Sequence, residues 1–398
     1  MGRVFHALGV ATTATHKSYA GCPFTSGIRN LIEAIVDNGD KVYHYCNHGS
    51  RTAGEDIFVT DENFLQMLGK DHKHQYHSEQ KHDKHERIRK DFSVACAAEL
   101  RKNANPGDFV LLPSDGHFDI FPLINDIEGL KVVETQIGYN DPIAAFRIFP
   151  THTWRSFWRG RANRAYEMFE LVKAASETNE MLCPINYNDV VMVPVTEPRF
   201  VFDTAIYPIV DPTDFTPKEE KDDYFLCMSR IIKSKGLQEA IDLTEHLGKS
   251  LIISGPGSFE WEFGEDYKLP DHVHFVGMAD NAMRDELLSK AACLLCLTRY
   301  NEPGGTVAAE APFAKTPVIA SDTGCFTEII EEGVTGFIGG CMAEWMESAE
   351  RLGDLEPDAI LKHAQGSFSA EALYLKYASF WKRIDAYFEN GMDENFTY

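Results

Sequence analysis

The sequence has no uninterrupted apolar run near the roughly 18 to 20 residues that a helix needs to span a bilayer, so a transmembrane segment is not expected. Its start lacks a basic flank and a cleavage signature, because Val4–Val10 reads as a first strand, so a secretory leader is not expected either. Basic residues are scarce. Thirty-eight Lys and Arg stand against 61 Asp and Glu, a formal net charge of −23, and a general binder of phosphate backbones needs the opposite surplus. The nine cysteines are odd in number and scattered, which argues against a disulfide framework and fits a reduced compartment. Cys293 and Cys296 share a CxxC spacing, but they sit in the apolar run Ala291–Leu297, which reads as a buried strand. No Asp-x-Asp triplet occurs. The expectation is a cytoplasmic protein with neither metal nor cofactor.

What is present is an α/β pattern. At 398 residues the chain exceeds what one hydrophobic core usually supports, and two domains of about 200 residues are expected. Val4–Val10, Lys41–Tyr45, Asp108–Pro113 and Lys131–Thr135 read as strands of the first half. Ile28, Leu31, Ile32 and Ile35 fall on one face of a helix that Gly39 ends. Tyr224–Met228, Leu251–Ser254, Val273–Val276, Cys293–Leu297 and Pro317–Ala320 repeat the scheme. Between the halves, residues 207–217 hold three prolines and read as the connection. Two doubly wound sheets point their carboxyl ends at a shared cleft, where ligands bind in such folds. Lys70–His85 departs from the pattern: His72, His74, His77, His82 and His85 lie among charges without an apolar face. No ligand spacing stands out, so the stretch reads as a solvated insertion or helix rather than a metal or anion site.

The most informative segment runs from Arg299 to Ala311 and contains Glu302, Gly304, Gly305, Thr306 and Glu310. It follows an apolar strand and opens a helix, where glycines expose backbone N–H groups and the helix dipole favours a diphosphate. Thr306 to Glu310 covers roughly 6 Å of helix, so the two carboxylates reach different parts of one nucleotide sugar. Carboxylates accept paired hydrogen bonds from vicinal hydroxyls, which hexose and ribose both carry. Arg230, Lys233, Lys235 and Gly236 follow the strand Tyr224–Met228, placing cations where a leaving diphosphate needs neutralising.

Together these motifs resemble the retaining, family-4-like glycosyltransferases of GT-B fold, almost continuously through the C-terminal half. Glu302 and Glu310 match the family's Glu-x7-Glu donor motif; Arg230, Lys235 and Gly236 match its diphosphate motif. Thr316–Gly324, Glu328 and Gly333–Phe337 look like its closing strand, helix and turn, and Phe368–Tyr374 like the start of its last helix. The resemblance implies two Rossmann-like domains facing a cleft: an acceptor domain over 1–206, a connection over 207–217, a nucleotide-sugar domain over 218–367, and a helix over 368–398 that returns to the first domain. It implies a nucleoside-diphosphate sugar, of UDP or GDP type, as donor substrate. Glu302 would hold sugar hydroxyls, Glu310 the ribose, Gly304, Gly305 and Thr306 the sugar–phosphate end, and Arg230 and Lys235 the departing diphosphate. Cationic side chains would stand in for a divalent metal, and no side-chain nucleophile is implied.

The N-terminal half fits this family less closely. Gly21–Gly27 stands where the family has a glycine-rich loop, with Gly27 as the donor-side candidate but without paired glycines. The family's histidine after Lys131–Thr135 is missing, and Asp115, His117 and Gln136 are the polar candidates for the acceptor. From Arg147 to Arg164 five arginines, Arg155 and Arg159 among them, interleave with Trp154, Phe157 and Trp158. Such a stretch suits an anionic acceptor, a membrane surface or a nucleic-acid strand; equally it suits a helix whose arginines pair with carboxylates elsewhere. The rival functions are transfer to a modified base in DNA and a catalytically silent scaffold. A dehydrogenase is disfavoured, because Gly255-Pro-Gly257 lacks the third glycine of the dinucleotide fingerprint.

Overall fold

A computed structural model describes residues 2–17, 22–62, 82–113, 117–139, 142, 144–162, 164 and 202–390. Seven parallel strands form the first sheet: β1 Val4–Leu8, β2 Lys41–Cys46, β3 Glu55–Phe58, β4 Phe109–Pro113, β5 Lys131–Thr135, β6 Phe146–Phe149 and β7 Asp203–Ala205. Their order is β3-β2-β1-β4-β5-β6-β7. The second sheet has β8 Tyr224–Met228, β9 Ser250–Ser254, β10 Val273–Phe275, β11 Cys293–Cys296, β12 Val318–Ser321 and β13 Gly336–Gly339, ordered β10-β9-β8-β11-β12-β13. In each sheet the order reverses beside the first strand in sequence, at β1/β4 and at β8/β11. That crevice is where doubly wound folds bind ligands. The expected pair of Rossmann-like sheets is therefore present.

The sequence explains the layers. Phe109-Val-Leu-Leu-Pro113 and Cys293-Leu-Leu-Cys296 are apolar on both faces, as strands covered on both sides by helices must be. The helix Pro23–Asp37 turns Ile28, Leu31, Ile32 and Ile35 into the core of the first sheet. Gly39 follows its end with φ 87°.

The last helix, Ala370–Glu389, leaves the C-terminal half and packs Leu373, Tyr377, Phe380, Trp381 and Ile384 against Phe5 and Phe109 of the first sheet. The Trp381 ring lies 5.5 Å from Phe5 and 5.4 Å from Phe109, edge-on to both. The chain thus crosses between halves twice. The two crossings touch, the Val210 N–H donating to the Phe368 carbonyl at 2.8 Å. Around the first crossing, Asn30 Nδ2 donates to the Ile209 carbonyl at 2.7 Å, and Arg29 meets Asp214 at 2.9 Å.

Candidate active site

The segment after β11 turns back across the top of the second sheet. The Arg299 N–H donates to the Ser234 carbonyl at 2.8 Å, and Cys325 N–H to the Glu302 carbonyl at 3.0 Å. Gly324 has φ 63°, and a Cβ there would stand 2.3 Å from the Glu302 nitrogen. Only glycine lets these two loops touch. Gly305, with φ 51°, is the N-cap of the short helix Thr306–Glu310. The loop also leans on the N-terminal half, where Thr151 Oγ1 donates to the Pro303 carbonyl at 2.8 Å.

Lys235 ends a 3-10 turn behind β8, and its Nζ sits 2.5 Å from Glu302 Oε2. Both side chains are largely shielded, 14% and 13% exposed. Arg230 lies across the cleft from Tyr139, its guanidinium 5.9 Å from the ring centroid. The Tyr139 and Tyr300 hydroxyls meet at 3.0 Å, linking the loop after β5 to the loop after β11. Burial, followed by the negative charge of Glu302, raises both phenols well above their ordinary range. Glu310 is buried and paired with Arg284 of the helix Asn281–Lys290.

These groups surround one cleft. A chamber of about 430 Å³ is lined by Arg230, Lys235, Glu302, Thr306, Met278 and Arg284, among others. A smaller one of about 120 Å³ adjoins it, lined by Gly27, Gln136, Gly304, Arg284, Glu310 and Asp214, among others. The structure thus gathers most residues singled out in the sequence. Gly27 and Gln136 prove to be neighbours, a Cβ at Gly27 falling 2.1 Å from Gln136 Nε2. Gly27 is not in a loop, however: Pro23 begins the helix, and its fixed φ suits the first helical position. Asp115 lies outside the described residues, as do His72, His74 and His77. His117 begins a 3-10 turn, His117–Ile120. Among the described residues, His44, Cys46 and Asp56 could together offer ligands to a metal, but they line neither chamber.

Part of the arginine-rich stretch turns inward, while Phe157, Arg161 and Arg164 are exposed. Arg147 and Arg159 converge on Asp203 at 2.7 and 3.2 Å. Trp154 and Trp158 are buried, and both indole N–H groups donate to the Gly138 carbonyl, at 3.2 and 3.3 Å. These two rings are packed core rather than a stacking surface for a nucleic-acid strand or a membrane. Arg155 is partly buried, which pulls its pKa down.

Arg284 is not singled out in the sequence. In Asn281-Ala-Met-Arg-Asp-Glu286 no strand end or glycine sets it apart. Nor is Tyr139 singled out, whose place beside Tyr300 depends on how the halves meet.

Solved structures of known proteins share this architecture over nearly the whole chain. AviGT4, a glycosyltransferase involved in avilamycin A biosynthesis, aligns with a TM-score of 0.64 at 15% identity, over 96% of this chain and 98% of that one. The fold is that of the GT-B glycosyltransferases. Two further GT-B neighbours are the sucrose-phosphate synthase of Thermosynechococcus elongatus and Anabaena Alr3699/HepE in complex with UDP and glucose. The first has a TM-score of 0.62 at 16% identity, over 96% of this chain and 99% of that one. The second has 0.61 at 14%, over 96% and 100%. Within this GT-B chain, residues 213–371 match the family described as glycosyl transferases group 1. Two curated relatives align over shorter segments. Spore coat protein SA of Bacillus subtilis (strain 168) is 28% identical over 114 residues, 29% of this chain and 30% of that protein. The O-antigen chain mannosyltransferase RfbU of Salmonella typhimurium (strain LT2) is 28% identical over 163 residues, 39% of this chain and 46% of that protein. The chain therefore spans less than half the length of the curated relatives it matches. Among the described residues, no helix is long and apolar enough to cross a membrane.

Proposed function

We propose that the protein transfers a sugar from a nucleoside-diphosphate sugar, of UDP or GDP type, to a hydroxyl acceptor, with retention at the anomeric carbon and without a metal. The observation that carries this reading is the convergence of Arg230, Lys235 and Glu302 on one chamber, with Glu310 beside it. The group 1 match over the same half supports sugar transfer, as does the likeness to a mannosyltransferase.

The bound donor competes for Lys235. Its diphosphate draws the ammonium away from Glu302 and also meets Arg230, so the negative charge that grows on the leaving oxygen is neutralised by fixed cations. Glu302, released from Lys235, accepts hydrogen bonds from the sugar hydroxyls. Glu310 accepts from the ribose diol, and the base lies toward the apolar wall of Pro256, Met278 and Ala279. The acceptor hydroxyl enters from the side of Gln136. Retention follows the motif resemblance, in which the leaving phosphate itself takes the acceptor proton on the same face and no side-chain nucleophile is needed.

The test has two arms. UDP or GDP at a hundredfold excess over its dissociation constant stabilises the fold by about 2.7 kcal/mol and raises the melting temperature. Arg230→Ala and Lys235→Ala each lower turnover on the order of 10² to 10³, as when a preorganised charge is deleted, while turnover by the unaltered enzyme persists in excess EDTA. No melting shift with any nucleoside diphosphate, or near-normal turnover in both variants, defeats the reading.

A further inference from the structure

We propose that Arg284 is a positioning residue of the donor site: it holds the Glu310 carboxylate in place for the ribose diol and so sets the preference for ribose over deoxyribose. The proposal rests on the donor-site reading above. Arg284 lies one turn into the helix Asn281–Lys290, its N–H donating to the Asp280 carbonyl at 2.8 Å. Its side chain is 11% exposed and that of Glu310 6%, and the two are paired where both chambers meet. Burial lowers the arginine's pKa to about 10, which leaves it charged at neutral pH.

A buried ion pair is a costly way to hold a helix in place, since both ions lose their hydration and apolar side chains of similar volume often stabilise as well or better. What it supplies is direction. A guanidinium is a planar fork that fixes the plane of a carboxylate. Glu310 ends the helix Thr306–Glu310 and its backbone runs on into the 3-10 turn Ala311–Ala314, so the remaining freedom is in its side-chain torsions. In this proposal the contact of Arg284 Nη2 with Glu310 Oε2 restricts that freedom.

The charges facing Arg284 from other elements are Asp214, which attracts it, and Arg29, which repels it. Asp214 is already engaged by Arg29 at 2.9 Å and Lys17 at 3.0 Å. The Phe215 ring, 5.8 Å from the guanidinium, closes the other side.

The experiment is calorimetric titration of the full chain with UDP, GDP and ADP and with their 2′-deoxy counterparts. The unaltered protein is expected to favour the ribose form by about tenfold or more, the scale of one hydrogen bond to a charged group. Arg284→Met is expected to bring that ratio to within about twofold. Arg284→Lys, which keeps the charge and loses the fork, gives an intermediate ratio and covers the case in which the methionine variant fails to fold. A normal ratio in either variant, while Glu310→Ala abolishes it, overturns the role of Arg284 and leaves the donor site standing. If no diphosphate binds, or the unaltered protein shows no ribose preference, the donor-site reading fails at Glu310 and takes this inference with it.

Discussion

At Gln136 the backbone takes φ 55°, a left-handed conformation that a side chain other than glycine's makes uncommon. The turn sits just past β5 and aims the amide into the smaller chamber, against the bare Cα of Gly27. A methyl at position 27 would displace that amide. The displaced atoms are the end of a flexible side chain, so the fold tolerates it; replacing glycine by alanine inside a helix also gains up to about 1 kcal/mol. Gly27→Ala is therefore expected to melt at or above the normal temperature while weakening acceptor use, with Gln136→Ala giving the same loss and the double variant no further loss. Melting curves and acceptor Michaelis constants check this, and additive losses would refute it.

At the scale of elements, the helix at 152–162 joins the halves at its first turn. Thr151 Oγ1 accepts from the Trp154 N–H at 3.2 Å while donating to Pro303, and Glu328 accepts from the backbone N–H groups of His152 (2.9 Å) and Thr153. One hydroxyl thus caps a helix and braces the loop that carries Glu302. Thr151→Val keeps the shape and removes both bonds, and loss of such a cap costs about 1 kcal/mol. The expected outcome is a small drop in melting temperature with a larger drop in donor affinity, measured by the same titration. Little of this joint was legible in sequence. The nine expected strands are all present, because apolar runs such as Phe225-Leu-Cys227 and Val132-Val133 are covered on both faces and announce themselves. The strands not anticipated were β3, β6, β7 and β13, of three or four residues each. Three of these lie at sheet edges, where a run such as Glu55-Asp-Ile-Phe58 carries no sustained period. In the site, Arg230, Lys235, Glu302 and Glu310 were readable because they follow strand ends at fixed spacing. Arg284 and Tyr139 were not, because partners far away in sequence define them.

For the whole molecule, the last helix makes the stability of the first sheet depend on the far end of the chain. Trp381 is fully buried against Phe5 and Phe109, and truncating a tryptophan in such a place costs about 3 to 5 kcal/mol. Trp381→Ala is expected to lower the melting temperature of the N-terminal half first, seen as early loss of hydrogen-exchange protection in β1 and β4. Equal early exchange in β8 and β11 would show instead that the halves unfold as one. The contact between Val210 and Phe368 has a mechanical consequence. Two crossings bonded side by side act as the spine of a book: the covers can swing about one line, while twisting or sliding would shear the spine. Opening of the cleft would then separate the Tyr139–Tyr300 bridge, whereas the strip along Val210 and Phe368 would stay shut.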